Sequence, residues 1–169
     1  TRESNPFPIT ATLTQAKAIK TTTGKTYKAG ATLTSDQSRT LIADYFKQLT
    51  FKDDKTGVTL RYNLFVPKNY DASKRYPLVL FMHDASGANQ NDNYTLLQGN
   101  GATVWASPRD QEKHPCFVLA PQYDEIVVDD SFRVTPSAET TIDLLDYIKG
   151  QYSIDADRVY TTGQSMGCM

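Results

Sequence analysis

The chain has 169 residues, with 18 Lys and Arg against 19 Asp and Glu and a formal net charge of -1. That length allows one domain with a sizeable core, alone or with a small appendage. Balanced charge argues against nucleic acid or an anionic membrane surface as partner, since both favour a basic excess or patch, and no apolar run approaches the roughly 18 residues that span a bilayer.

In residues 1–49, Thr and Lys alternate with small or apolar residues. Thr22, Thr23, Gly24 and Lys25 predict a turn between two exposed strands. Residues 35–48 predict a short helix with Leu41, Ile42, Tyr45 and Phe46 on one face. No catalytic constellation occurs here. The segment reads as a small, mainly β accessory region ahead of a second region, residues 50–169.

The second region is more regular. Residues 49–52, a turn over 53–57 and residues 58–67 predict a hairpin, in which Leu60, Tyr62, Leu64 and Val66 alternate with Thr59, Arg61, Asn63 and Phe65. Tyr76–Met82 (YPLVLFM) is continuously apolar, as a strand covered on both faces requires. Residues 117–121 repeat that style, and residues 158–162 repeat it more weakly. Between these two lies a helical stretch, residues 137–152, with Ile142, Leu145, Tyr147 and Ile148 at helical spacing. Ser137 is the expected cap, and Gly150 with the Asp155 to Asp157 loop the expected end. Strand, helix, strand is a crossover unit and implies parallel pairing. The expected class is therefore α/β: an antiparallel hairpin followed by parallel strands. Cys116 and Cys168 fit no metal-ligand spacing and are too few for a disulfide framework; Cys116, in an apolar run, reads as a small core residue.

The chemistry sits at the last of these strands. Gly163, Gln164, Ser165, Met166 and Gly167 match G-x-S-x-G. A nucleophilic serine on a very tight strand-to-helix turn needs strained backbone angles, and glycines two before and two after remove the β-carbons that would collide there. The turn lifts the hydroxyl above the sheet and aims the N–H of Met166 at a developing oxyanion.

The stretches IDADRVYTTGQSMG, YPLVLFMHDASG, DNYTLL and CFVLAPQ resemble the elbow, strand and oxyanion-loop segments of the α/β-hydrolase superfamily, in the group of secreted esterases and peptidases similar to poly(3-hydroxybutyrate) depolymerases and feruloyl esterases. The resemblance covers residues 50–169. It implies the N-terminal half of an α/β-hydrolase sheet, with Ser165 as nucleophile and the Met166 N–H as one oxyanion donor. The second donor is expected from the N–H of Asp84 or Ala85, in the loop after Tyr76–Met82. That group usually has Gly directly after the strand-end His, where this chain has Asp84. A carboxylate aimed at the oxyanion would oppose charge development, so the Asp84 side chain is expected to point away, or Ala85 to be the donor. Cys168 stands where the group commonly has a further Gly.

Other polar residues compete for roles. His83 is on the wrong element for the general base, because the base follows the nucleophile in this fold; it is expected to shape the oxyanion loop and is kept as a cleft candidate. His114 reads as a solvated loop residue. Asp124, Glu125, Asp129 and Asp130 follow the strand at 117–121, at strand ends where ligands bind in open α/β sheets. Their spacing fits no defined metal loop, so they read as an acidic surface loop, with Asp124 kept as a cleft candidate. Trp105 and Tyr123 are candidates for stacking on a sugar or aryl group, with core packing as the alternative.

No His or acid follows Ser165 in the sequence. The expectation is one piece of a larger catalytic domain, completed by a companion chain or fragment that carries the acid and His. The leading reading is a secreted or extracytoplasmic serine esterase acting on a small-molecule or polysaccharide-linked ester, without metal or organic cofactor. The alternatives are a serine peptidase of the same fold and a non-catalytic binding or adhesion protein on a hydrolase scaffold.

Overall fold

The computed structural model describes residues 11–35 and 42–169. These fall in two separate units.

In the first unit, β1 (Thr12–Thr14) pairs antiparallel with β4 (Thr32–Thr34), and β2 (Ile19–Lys20) pairs antiparallel with β3 (Thr26–Tyr27). One hairpin is nested in the other, with the expected turn between β2 and β3. Threonine suits such strands because its branched β-carbon fits the pleat. The hydroxyls of Thr12 and Thr34 share a hydrogen bond of 3.0 Å across the outer pair. All strand residues of this unit are exposed.

The helix expected over residues 35–48 does not form among the described residues of that span; residues 36–41 lie outside them. A 3₁₀ turn, Ala43–Tyr45, leads instead into β5 (Lys47–Lys52). Pairing decides this: β5 lies antiparallel to β6 (Thr59–Phe65), with Leu49 opposite Tyr62 and Phe51 opposite Leu60. The boundary expected between residues 49 and 50 thus falls inside a strand. The turn that joins the pair is built by Asp53, whose carboxylate accepts the Lys55 N–H at 3.0 Å and the Thr56 hydroxyl at 2.7 Å. Gly57 closes it at φ +77, a conformation that costs a glycine little.

The second unit is a five-stranded sheet in the order β5-β6-β8-β7-β9, completed by β7 (Tyr76–Met82), β8 (Phe117–Gln122) and β9 (Ile154–Gly163). β6 runs antiparallel to β5 and β8, while β7 runs parallel to both β8 and β9. The carboxyl ends of β7, β8 and β9 therefore share one edge. α1 (Tyr94–Leu97), α2 (Pro108–Lys113) and α3 (Pro136–Gln151) complete the unit.

The continuous apolar runs are explained by two cores. Leu78, Leu80, Phe117 and Leu119 meet Leu144 and Ile148 of α3 in one cluster. Val79, Phe81, Val118 and Ala120 meet Leu96 and Leu97 in the other. Alternate residues of β7 and β8 serve opposite faces, and each fully buried Leu or Phe contributes about 1.5–3 kcal/mol. Cys116 belongs to the second cluster, and burial pushes its thiol up to about 11.

α3 departs from expectation in three details. Its cap is Thr135, followed by Pro136 at the first helical position, where a missing N–H costs nothing. Ser137 instead donates its hydroxyl to Glu125 at 2.7 Å. Gly150 lies inside the helix, which ends at the extended Tyr152. The buried stripe is Ser137, Thr140, Thr141, Leu144 and Ile148, whereas Ile142 and Tyr147 are exposed. Hydrophobicity alone found Ile148 and the partly buried Leu145 but missed the buried threonines, which satisfy their hydroxyls locally. Thr141 donates to the Ser137 carbonyl at 2.8 Å, and Thr140 donates to the Asp53 carboxylate at 3.2 Å.

Candidate active site

The site is built where β9 stops. Gln164 is extended, and Ser165 then turns to φ +49 and begins a 3₁₀ turn, Ser165–Cys168. A non-glycine residue held there costs about 1–3 kcal/mol, so surrounding contacts must hold it. They do: the Gln164 N–H donates to the Met82 carbonyl at 3.1 Å, and the Gly167 N–H to the Gln164 carbonyl at 2.9 Å. A β-carbon on Gly163 would stand 2.1 Å from the Gly167 carbonyl oxygen, and one on Gly167 would stand 2.1 Å from that of Met82. Both neighbours are backbone, so both positions need glycine. Ser165 is exposed, while Met166 is buried and its sulfur accepts the Val127 N–H at 3.4 Å.

Beside this elbow, β7 ends in a second tight loop. His83 is fully buried. Its Nδ1 lies 2.6 Å from the Asp84 carbonyl oxygen, and its Nε2 lies 3.0 Å from the Tyr123 N–H. A carbonyl can only accept and an amide only donate, so the proton sits on Nδ1 and the ring is neutral. Burial, the leading cause, lowers its pKa and favours that state. Gly87 packs directly on the ring; a β-carbon there would stand 2.5 Å from Nδ1. The 3₁₀ turn Ala85–Gly87 lies against the turn Ser165–Cys168.

This bonding pattern orients the peptide between Asp84 and Ala85. The Asp84 carbonyl accepts from both His83 Nδ1 and the Gly87 N–H, the latter at 3.1 Å. In a trans peptide the next N–H points the opposite way, so the Ala85 N–H is directed away from His83. The N–H groups of Ser86 and Gly87 are taken by the Asp84 carboxylate, at 2.9 and 3.2 Å. None of the Asp84, Ala85 and Met166 N–H groups has a backbone or side-chain partner among the described residues. The Asp84 side chain is turned into its own loop, where it also accepts from the Ser86 hydroxyl at 2.8 Å and from Gln98 Nε2. Burial works against its charged form, but the bonds from Gln98, Ser86 and Gly87 outweigh this and hold the carboxyl below its usual range.

Two cleft candidates are corrected. His83 is locked beneath the loop and lines no open surface. Tyr123 is 1 % exposed, with its hydroxyl 3.1 Å from that of Thr141. An aromatic ring with a satisfied hydroxyl belongs in a core. Asp124 does reach the surface, where it and Asp92 pair with Arg61 beside a polar cavity of about 680 Å³. Glu125 and Asp129 are engaged by Ser137 and by Arg133. His114 is exposed, just before β8 begins, and so lies at the amino edge of the sheet, opposite Ser165. No group of three metal-ligating side chains occurs among the described residues, and no described helix is long and apolar enough to cross a membrane. Sequence reasoning missed Gln98, Gln122 and Gln164, which hold the two loops; a lone glutamine carries no motif to find it by.

An antiparallel hairpin leading into parallel strands, one of which ends in a G-x-S-x-G turn, is the sheet of the α/β-hydrolase fold. Solved structures share it. A thermostable esterase is 36% identical to this chain, with a TM-score of 0.77, over 89% of this chain and 42% of its own. The S-formylglutathione hydrolase FrmB from Staphylococcus aureus has a TM-score of 0.53 at 14% identity, over 72% of this chain and 48% of its own. The feruloyl esterase module from Clostridium thermocellum, as its S954A mutant complexed with sinapinate, has a TM-score of 0.51 at 18% identity, over 72% and 45%. The chain thus spans less than half the length of these proteins. No protein-family model and no curated protein matches it.

Proposed function

We propose that this chain belongs to a serine hydrolase that cleaves carboxylic esters through an acyl-enzyme on Ser165. The observation that carries this reading is Ser165 itself, exposed at φ +49 between two glycines that tolerate no side chain. Its Oγ attacks the ester carbonyl carbon. The carbonyl oxygen becomes an oxyanion and is met by the N–H groups of Met166 and Ala85, which need not reorganise as charge develops. The intermediate collapses, expels the alcohol and leaves the acyl group on Oγ; water then releases the acid.

The Oγ proton needs a base. The chain's two histidines are His83, whose nitrogens are both engaged, and His114, at the far edge of the sheet. We assign the base and its acid partner to a further part of the catalytic domain, as a companion chain or fragment. The 36% identity to a thermostable esterase supports an ester over an amide as the bond cleaved, with a small-molecule or polysaccharide-linked ester as substrate.

The test is Ser165→Ala in the full protein. It is expected to abolish both p-nitrophenyl acetate turnover and labelling by a fluorophosphonate probe. Labelling that persists unchanged would falsify the assignment.

A further inference from the structure

We propose that the Asp84 carboxylate is a positioning group that clamps the oxyanion loop to the nucleophile elbow; this rests on the serine hydrolase reading above. One carboxylate oxygen gathers the loop. It accepts the N–H groups of Ser86 and Gly87, the Ser86 hydroxyl and Gln98 Nε2. The other oxygen reaches the elbow and accepts from Gln164 Nε2 at 3.2 Å, across 80 residues of sequence. Gln164 directly precedes Ser165, and Gly87 closes the turn that presents the Ala85 N–H. The two oxyanion donors are therefore referenced to one rigid, planar group.

Three features argue for a clamp rather than a surface charge that happens to be paired. Every donor to Asp84 comes from the two loops or from Gln98, which is 6 % exposed just after α1. Gln98 holds both Asp84 and the Ser86 hydroxyl, the latter at 2.8 Å, while its own Oε1 is buried without a partner among the described residues. Leaving a buried acceptor unpaired costs free energy, which the bonds of the Gln98 nitrogen must offset. Finally, each carboxylate oxygen has its own set of donors, the loop and Gln98 on one and the elbow's Gln164 on the other, so the group bridges the two turns instead of facing solvent unpaired.

A loosened clamp shifts donors relative to Ser165, which costs transition-state stabilisation and leaves ground-state binding nearly intact. The test compares Asp84→Asn, Gln164→Met and the double variant in the full protein. The readouts are kcat and KM for p-nitrophenyl acetate and the affinity of a trifluoromethyl ketone, which forms a tetrahedral adduct on the serine. Each single variant is expected to lower kcat about 10- to 100-fold with KM within about twofold, and to weaken the ketone by a similar factor. The double variant should be no worse than Asp84→Asn alone, because the two residues share one function.

Gln164 is exposed, so Gln164→Met folds independently of what Asp84→Asn does. Unchanged kcat and ketone affinity in Gln164→Met overturn the clamp, as does a double variant whose loss is the product of the single losses. Failure of the underlying reading looks different: Ser165→Ala would then keep its activity. Loss of activity in Ser165→Ala together with indifference to Gln164→Met refutes the clamp alone.

Discussion

The buried imidazole of His83 accepts the backbone N–H of Tyr123 at 3.0 Å and donates to the Asp84 carbonyl at 2.6 Å, so one neutral ring ties the end of β8 to the loop beside Ser165. Removing it strands a buried N–H and frees the peptide whose N–H is assigned to the oxyanion. His83→Ala should destabilise the protein by about 2–4 kcal/mol through the unsatisfied amide and the cavity. The urea midpoint is the check.

The same ring predicts a pH dependence. Its folded pKa is lowered from 6.5 by burial. The unfolded chain thus binds a proton more readily, and the stabilisation is complete above 6.5 and declines as pH falls through the folded value. Unfolding free energy should fall below about pH 6.5. In His83→Gln this component should be missing, so the two proteins' urea midpoints should converge between pH 7.5 and 5. Parallel pH curves for the two proteins would remove His83 from the account.

Strain at Ser165 gives a prediction of another kind. The residue stands at φ +49, which glycine adopts without penalty and alanine does not. Both Ser165→Gly and Ser165→Ala should be inactive, yet the glycine variant should be the more stable by about 1 kcal/mol. Gly167→Ala should fail outright, since its β-carbon would stand 2.1 Å from the Met82 carbonyl oxygen. Thermal unfolding of the variants ranks these effects.

Cys116 should be inert. It is 4 % exposed and its thiol is pushed up to about 11 by burial, so almost no thiolate exists at pH 8. Peptide mapping after iodoacetamide treatment of the native protein should find Cys116 unmodified, and modified only after denaturation.

What the sequence made legible follows from which forces leave a local trace. The β7 run and the glycines around Ser165 were readable because two-sided burial and steric exclusion each dictate residue type at a position. The stripe of α3 was only half read, through Leu145 and Ile148, because Thr140 and Thr141 are buried through hydrogen bonds that no hydropathy pattern records. β5 was partly assigned to a helix because its partner, β6, fixes it from a distance. The site divided the same way. Ser165 was visible in its motif, whereas Gln98 and Gln164 act through contacts made only once the chain has folded. Tyr123 carried the residue type of a ligand platform but the environment of a core.

The Ala85 N–H can be removed almost alone. Ala85 opens its 3₁₀ turn, and Asp84 before it is extended at φ -76 and ψ 174. Proline is suited to the first position of a helical turn and requires an extended residue before it. Ala85→Pro should therefore preserve the turn, the Asp84 bonds to Ser86 and Gly87, and the His83 contact with the Asp84 carbonyl. It deletes one donor. If that donor meets the oxyanion, kcat in the full protein should fall about 10²–10³-fold, with KM for p-nitrophenyl acetate little changed, because the ground-state carbonyl relies on it less. If the Asp84 N–H were the donor instead, Ala85→Pro would retain most of its kcat. Steady-state kinetics, with a thermal midpoint to confirm folding, decides between the two.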